Sequence, residues 1–386
     1  MTTLDKADHT ALETTSPKKL TNKSGGVKSS GLSASNSGNP GSAILCQPVL
    51  GNMPLWKKML LLNFSENIAS EMVAIDGLHN GWRHLVLPIA HTDELVMDAV
   101  LAASALHLFT DDDATGNHVP TQMARRYASM RLQQHPGSGS LYARAIKSLL
   151  HRRDLAASSA LHQSFALLAI LILLVAVMVS GSEDSSILLR MLHSAFEAIG
   201  GEDGLGTGAL AEFMIRQIHK MRVYAAPFIS EENGFQALSS QGQTEQVFEC
   251  LNYCSQQRPD AAAAAPFIMS LVRQAHDIYL RQAVPLPSAS DSTTLVQRFK
   301  HTLESFPHDL PGEQVLVWAT FIAASDCVLD EHKAFFEDVF LRYFVRSGFR
   351  NVLRGLDQLR KIWARRSAGG GTRWTSVLPH AGVFVM

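Results

Sequence analysis

The sequence predicts an all-α fold: one large helical-bundle domain behind a disordered N-terminal tail. Three observations predict it. After residue 52 apolar residues recur at three- and four-residue spacing along most of the chain, which is one face of a helix repeated many times. Strand-like alternation is scarce, and no Asn-Gly or Asp-Gly pair sits between β-branched runs as a hairpin would need. Loop signals separate the periodic stretches, at Pro136-Gly137, Gly200-Gly201, Gly204, Pro285, Pro287, Pro307, Pro311 and Gly348.

Residues 1–52 are a separate zone rich in Ser, Gly and Lys, with few apolar side chains before Ile44. Such a stretch buries too little apolar surface to offset the entropy of ordering it, so a disordered tail is expected. Pro17-Lys18-Lys19 with Lys23 and Lys28 gives it a weakly basic character that a solvated tail explains as well as a nuclear-import signal does. From Met53 the helical stripes begin. Leu55, Met59, Leu62 and Ile68 form the first. Leu95, Val96, Ala99, Val100, Ala103 and Leu106 form a longer one, with Thr92 as its expected N-cap and Asp93-Glu94 in its first turn. Further helices are expected over 120–134, 140–155, 158–180, 185–199, 208–223, 262–282, 293–304, 312–330, 332–347 and 349–366. The domain is therefore placed at 53–375, with 376–386 as a short C-terminal tail.

Composition bounds the function. The chain has 386 residues, with 34 Lys and Arg against 35 Asp and Glu, so overall basic charge cannot drive nucleic-acid binding. Four cysteines, Cys46, Cys250, Cys254 and Cys327, are too few and scattered for a secreted disulfide scaffold. The N-terminus carries no apolar signal run. Phe165 to Val179 is 15 apolar residues without interruption, short of the ~20 that cross a bilayer. It reads as the central helix of a bundle, and no membrane association is expected.

Chemistry-bearing motifs are few. Cys250 and Cys254 would share one helix face, but no Cys or His pair at zinc spacing accompanies them, so no metal site is expected. No nucleophile elbow, phosphate loop or dinucleotide fingerprint is present, and no cofactor or catalytic residue is assigned. Between Leu341 and Trp374 nine basic residues stand against Asp357 alone; Arg342, Arg346, Arg350 and Arg354 are four apart, with Ser347-Gly348 interrupting the helix. That segment is a solvated face or a patch for an acidic partner.

Asp76 to Leu108 resembles the signature of the fungal-specific transcription factor domain. Asn80, Arg83, Leu87, Pro88, Ala90, Ala99, Val100, Leu101, Ala102, Ser104, Ala105, His107 and Leu108 stand at matching positions. Tyr142, Ala145, Ile146 and Leu149 resemble the next element, and Leu167 to Leu174 with Leu192, His193, Ala195 and Phe196 the central helix pair. Val317, Trp318, Phe321, Ile322 and Ala323, then Gly348 to Asn351 and Trp363, resemble the closing helices.

The resemblance implies a nuclear regulatory region that ordinarily follows a binuclear zinc cluster. Such a cluster needs six cysteines, and the first 245 residues hold only Cys46. Direct sequence-specific DNA binding is therefore placed in doubt. Three readings stay open: a cofactor acting through DNA-binding partners or as a homodimer, a gene missing its first exon, or a former regulator turned to other work in a secondary-metabolite cluster. An alternative class is a helical small-molecule-binding protein or enzyme of secondary metabolism, in the nucleus or the cytoplasm. Its candidate pocket groups are polar residues on apolar helices: His107, His162, His193 and Asp326.

Overall fold

The computed structural model describes residues 53–109, 137–152, 159–284, 289–369 and 373–386. The expected tail at 1–52 and the helix expected over 120–134 lie outside the described residues. Within them every regular element is a helix. In chain order these are α1 (Leu55–Asn63), α2 (Gly81–His84), α3 (Val86–Ala90), α4 (Glu94–Leu108), α5 (Ser138–His151) and α6 (Ala160–Ser180). Then come α7 (Ser185–Ala198), α8 (Gly201–Leu205), α9 (Ala209–Ile229), α10 (Glu231–Ser239), α11 (Gln241–Val247) and α12 (Glu249–Gln257). The last are α13 (Ala265–Ala283), α14 (Ala289–Glu304), α15 (Val317–Ser325), α16 (Asp330–Ser347), α17 (Arg350–Ser367) and α18 (Trp374–Val377).

The core is organised around α6. Every side chain from Phe165 to Val179 is buried, so that stretch of the helix has no solvent face. It packs most extensively on α4, then on α7 and α17. The α4 helix is itself buried on almost every side, which its small residues Ala99, Ala102, Ala103 and Ala105 permit by letting backbones approach. At the start of α4 the cap is Asp93 and not the expected Thr92. Asp93 takes an extended backbone and accepts from Val96 N at 3.0 Å, while the Thr92 hydroxyl donates back to Ile89 O. A short helix, α3, precedes directly, so Thr92 completes its last turn.

A second group of helices, α9, α10, α13, α15, α16 and α17, forms the other side of the domain. Two features differ from expectation here. Helices α10 to α12 were not foreseen, because they are short and mostly polar and bury only narrow stripes such as Ala237-Leu238, Val247 and Leu251-Cys254. Ser230 and Ser240 cap the first two from their side-chain oxygens. Residues 376–386 are not a free tail. Leu378, Val383, Phe384 and Val385 are buried, Phe384 meets Phe228 edge-on at 6.4 Å, and Asn351 Nδ2 donates to Phe384 O at 3.1 Å. Four apolar side chains in eleven residues are enough to seat the segment in the core.

Candidate functional site

A cavity of about 90 Å³ opens between α9, α12, α13, the segment 71–81 and the turn joining α16 to α17. Each wall has a local cause. Gly81 lies so close to Phe213 of α9 that a Cβ there would stand 2.3 Å from the ring. Phe213 in turn meets Trp82 edge-on at 5.2 Å. The carbonyls of Val73 and Ala74 both accept from Gln314 Nε2, at 2.7 and 3.3 Å, which pins that segment over the cavity. Tyr224 stacks on Trp318 at 4.5 Å, and Trp318 Nε1 donates to Tyr224 O. His219 locks α12 to α9: its ring nitrogens lie 2.9 Å from Glu249 and from Glu202 of α8.

The polar wall is made by two helices. From α9 come Arg216, Gln217 and Lys220; from α12 come Cys250 and Cys254, one turn apart and both facing the cavity. The Cys250 thiol donates to Arg216 O at 3.5 Å and accepts from Gln217 Nε2 at 3.4 Å. That uses the amide's nitrogen and leaves Gln217 Oε1 buried with no hydrogen-bond partner. On the opposite side Asn351 spends its nitrogen on Phe384 O, and its Oδ1 is likewise buried and unpartnered. An unpaired buried acceptor costs about 1–3 kcal/mol, and both of these belong to residues that line the cavity.

The charges around the cavity do not balance. Arg346 is met by Glu71 at 3.3 Å, and burial raises the pKa of that carboxyl while the guanidinium lowers it. The Arg216 guanidinium stands over the Tyr253 ring, 4.0 Å from its centre, and its carboxylate partner, Glu212, is 3.7 Å away and mostly in solvent. Lys220 is half-buried and has no ion pair among the described residues. Burial pushes both thiols up, Cys254 to about 11, so they stay neutral at physiological pH. The site can therefore hold an anion beside apolar walls, and it offers no thiolate nucleophile. Among the described residues no group of three or more His, Cys, Asp or Glu is arranged to hold a metal ion.

The structure does not bring the four sequence-chosen residues together. His107 is enclosed beside α1: its Nε2 lies 2.9 Å from Ser347 O and its Nδ1 3.2 Å from Asn63 Nδ2. Burial lowers its pKa, so it is a neutral core group with partners. Asp326 is buried at the end of α15, where its Oδ1 accepts from Arg366 Nη1 and Trp374 Nε1, both at 3.1 Å. His162 is exposed in the first turn of α6, against the capping Ser159 hydroxyl. His193 is exposed on α7 and lines a groove of about 880 Å³ between α7, α9, α10 and the C-terminal segment. The basic segment is largely spent internally. Arg342, Arg346, Arg360, Arg366 and Arg373 meet the carboxylates of Glu313, Glu71, Glu337, Asp326 and Glu231. Gly348, at φ 70°, turns the chain between α16 and α17 as the Ser347-Gly348 break predicts.

Gln217 and Lys220 carry a signal the sequence reading missed. Phe213, Gln217, Lys220 and Tyr224 are spaced four, three and four, one helical stripe with two polar residues between aromatic ends. Asn351 offered no such sign, because its role depends on the position of Phe384.

A sequence model described as the fungal specific transcription factor domain matches residues 59–225 and 210–386, which together take in α4, α6 and every wall of the cavity. No curated protein matches the chain. No solved structure matches it either.

Proposed function

Because the chain belongs to the fungal-specific transcription factor domain family, we propose that it regulates transcription through partner proteins and an effector cavity. The family match across 59–386 is the observation that carries this reading. The effector role is supported by the cavity, whose polar wall from α9 and α12 is adjoined by 73–74, where Gln314 bonds both carbonyls. An occupant touching both can change how 71–81 sits, and so alter the surface offered to a partner. The site of action is the nucleus, and the regulated genes belong to a secondary-metabolite cluster.

The test compares a deletion strain with its parent for transcripts and metabolites together. Silenced neighbouring genes, with the tagged protein enriched in nuclei and co-purifying with a DNA-binding regulator, are the expected result. Unchanged transcripts with one accumulating intermediate would sink the regulatory reading. They would favour the second one, a helical ligand-binding protein or enzyme of secondary metabolism, to which the unpartnered Gln217 and Asn351 oxygens lend support.

A further inference from the structure

We propose that the cavity between α9 and α12 binds a compact hydroxy acid, its carboxylate held by Lys220 and Arg216 and its hydroxyl donating to Gln217 Oε1. This deepens the effector reading above and rests on it.

Four observations converge. First, three cationic side chains line the cavity, Arg216, Lys220 and Arg346, with Glu71 as the lining carboxylate, which Arg346 already occupies; Glu212 meets Arg216 at 3.7 Å from solvent, and Glu249 acts against the two α9 cations at Cys250. Lys220 and Arg216 both act electrostatically on the Cys250 and Cys254 sulfurs, so their charges reach the wall those thiols form. An anion placed there gains two partly buried cations. Second, the direction of the Cys250 hydrogen bonds fixes the Gln217 amide. The thiol hydrogen goes to Arg216 O, so the sulfur accepts from Nε2, and Oε1 is the atom left over. That atom needs a donor, which a carboxylate lacks and a hydroxyl supplies. Third, the rest of the wall is apolar, with Met72, Val73, Phe248, Leu251 and Val272 available to a branched hydrocarbon body. Fourth, the size is restrictive. At ~10–15 Å³ for each water-sized centre, a cavity of about 90 Å³ takes on the order of six to nine non-hydrogen atoms. The wider groove beside His193 has no orphaned acceptor among its described lining residues, so it lacks this demand for a donor.

Binding to the purified full chain is measured by calorimetry with three probes of one carbon skeleton: α-hydroxyisovalerate, isovalerate and isoamyl alcohol. The hydroxy acid should bind saturably, isovalerate about tenfold more weakly for want of one hydrogen bond, and the alcohol not detectably. Lys220→Met should abolish binding, Lys220→Arg should keep it, and Gln217→Leu should erase the difference between the two acids. Equal binding of the two acids, binding of the alcohol, or an unaffected Lys220→Met protein would overturn the proposal. So would silence from all three probes, which would mean that water alone meets Gln217. The probe comparison needs no variant, so a misfolded mutant does not blunt it. Failure here leaves the transcript comparison untouched, while unchanged transcripts with intact binding would remove the regulatory reading alone.

Discussion

A single buried imidazole shows how strongly context sets what a side chain does. His276 lies on α13, one turn beyond Val272, with its edge toward Trp318 at 5.5 Å. Neither ring nitrogen has a hydrogen-bond partner, and burial, aided by the Arg273 charge, lowers its pKa from 6.5 to about 4. As pH falls below 6.5 the unfolded chain takes up a proton that the folded chain refuses until about 4, so stability is lost across that window. The loss reaches about 2 kcal/mol by pH 5. His276→Phe keeps a ring edge on Trp318 and removes the titration. Urea unfolding at pH 7.5 and 5 should therefore show a smaller difference for the variant than for the parent, by about that amount. An equal difference in the two proteins would refute the assignment. His107 titrates in the same direction in both and cancels from the comparison. The sequence singled out His107, at the end of a readable apolar face, and passed over His276. Both are histidines among apolar residues, and only the structure distinguishes one with partners from one with none.

The elements most legible in the sequence are those whose burial is continuous along them. The apolar run from Phe165 gives α6, and the small-residue stripe from Leu95 gives α4, because periodic burial needs no knowledge of the partner. Helices α10 to α12 were illegible for the opposite reason, since their few buried positions only acquire meaning against α9 and α13. The cavity was illegible with them, apart from the shared face of Cys250 and Cys254. The C-terminal segment makes the same point from the other side. Val383, Phe384 and Val385 look like loose apolar residues after a glycine, yet they close the space beside Phe228 and next to Gly355. Phe384→Ala should cost about 3–5 kcal/mol in chemical unfolding, the range for an aromatic lost from a packed core. A change below 1 kcal/mol would show that the segment merely rests on the surface. Because Asn351 of the cavity wall donates to Phe384 O, the same variant should also weaken any occupant of that cavity.

At the scale of the whole molecule the decisive question is what a helix as apolar as α6 is for. By length and hydropathy it could cross a bilayer, being 21 residues with a mean hydropathy of 2.5 over its best window. Yet 83% of that window is buried inside the protein, among α4, α7, α9 and α17. A lipid-facing helix would present that surface outward; here it is the surface the rest of the fold is built upon. Two outcomes follow from one cause. The purified chain should stay in the supernatant and run as a single species without detergent. Leu173→Ala should lower its unfolding free energy by about 2–5 kcal/mol, because no neighbour can collapse fully into the space left at the centre of four helices. A membrane role predicts the reverse pair: sedimentation with lipid unless detergent is added, and near-indifference to the loss of one side chain, since lipid tails would fill the gap. Both members of the pair are read from one expression of parent and variant, by fractionation and by urea titration of the soluble material. If the parent fractionates with membranes, α6 is not the hub of a soluble bundle, and the cavity between α9 and α12 would have to be reconsidered as a pocket reached from lipid.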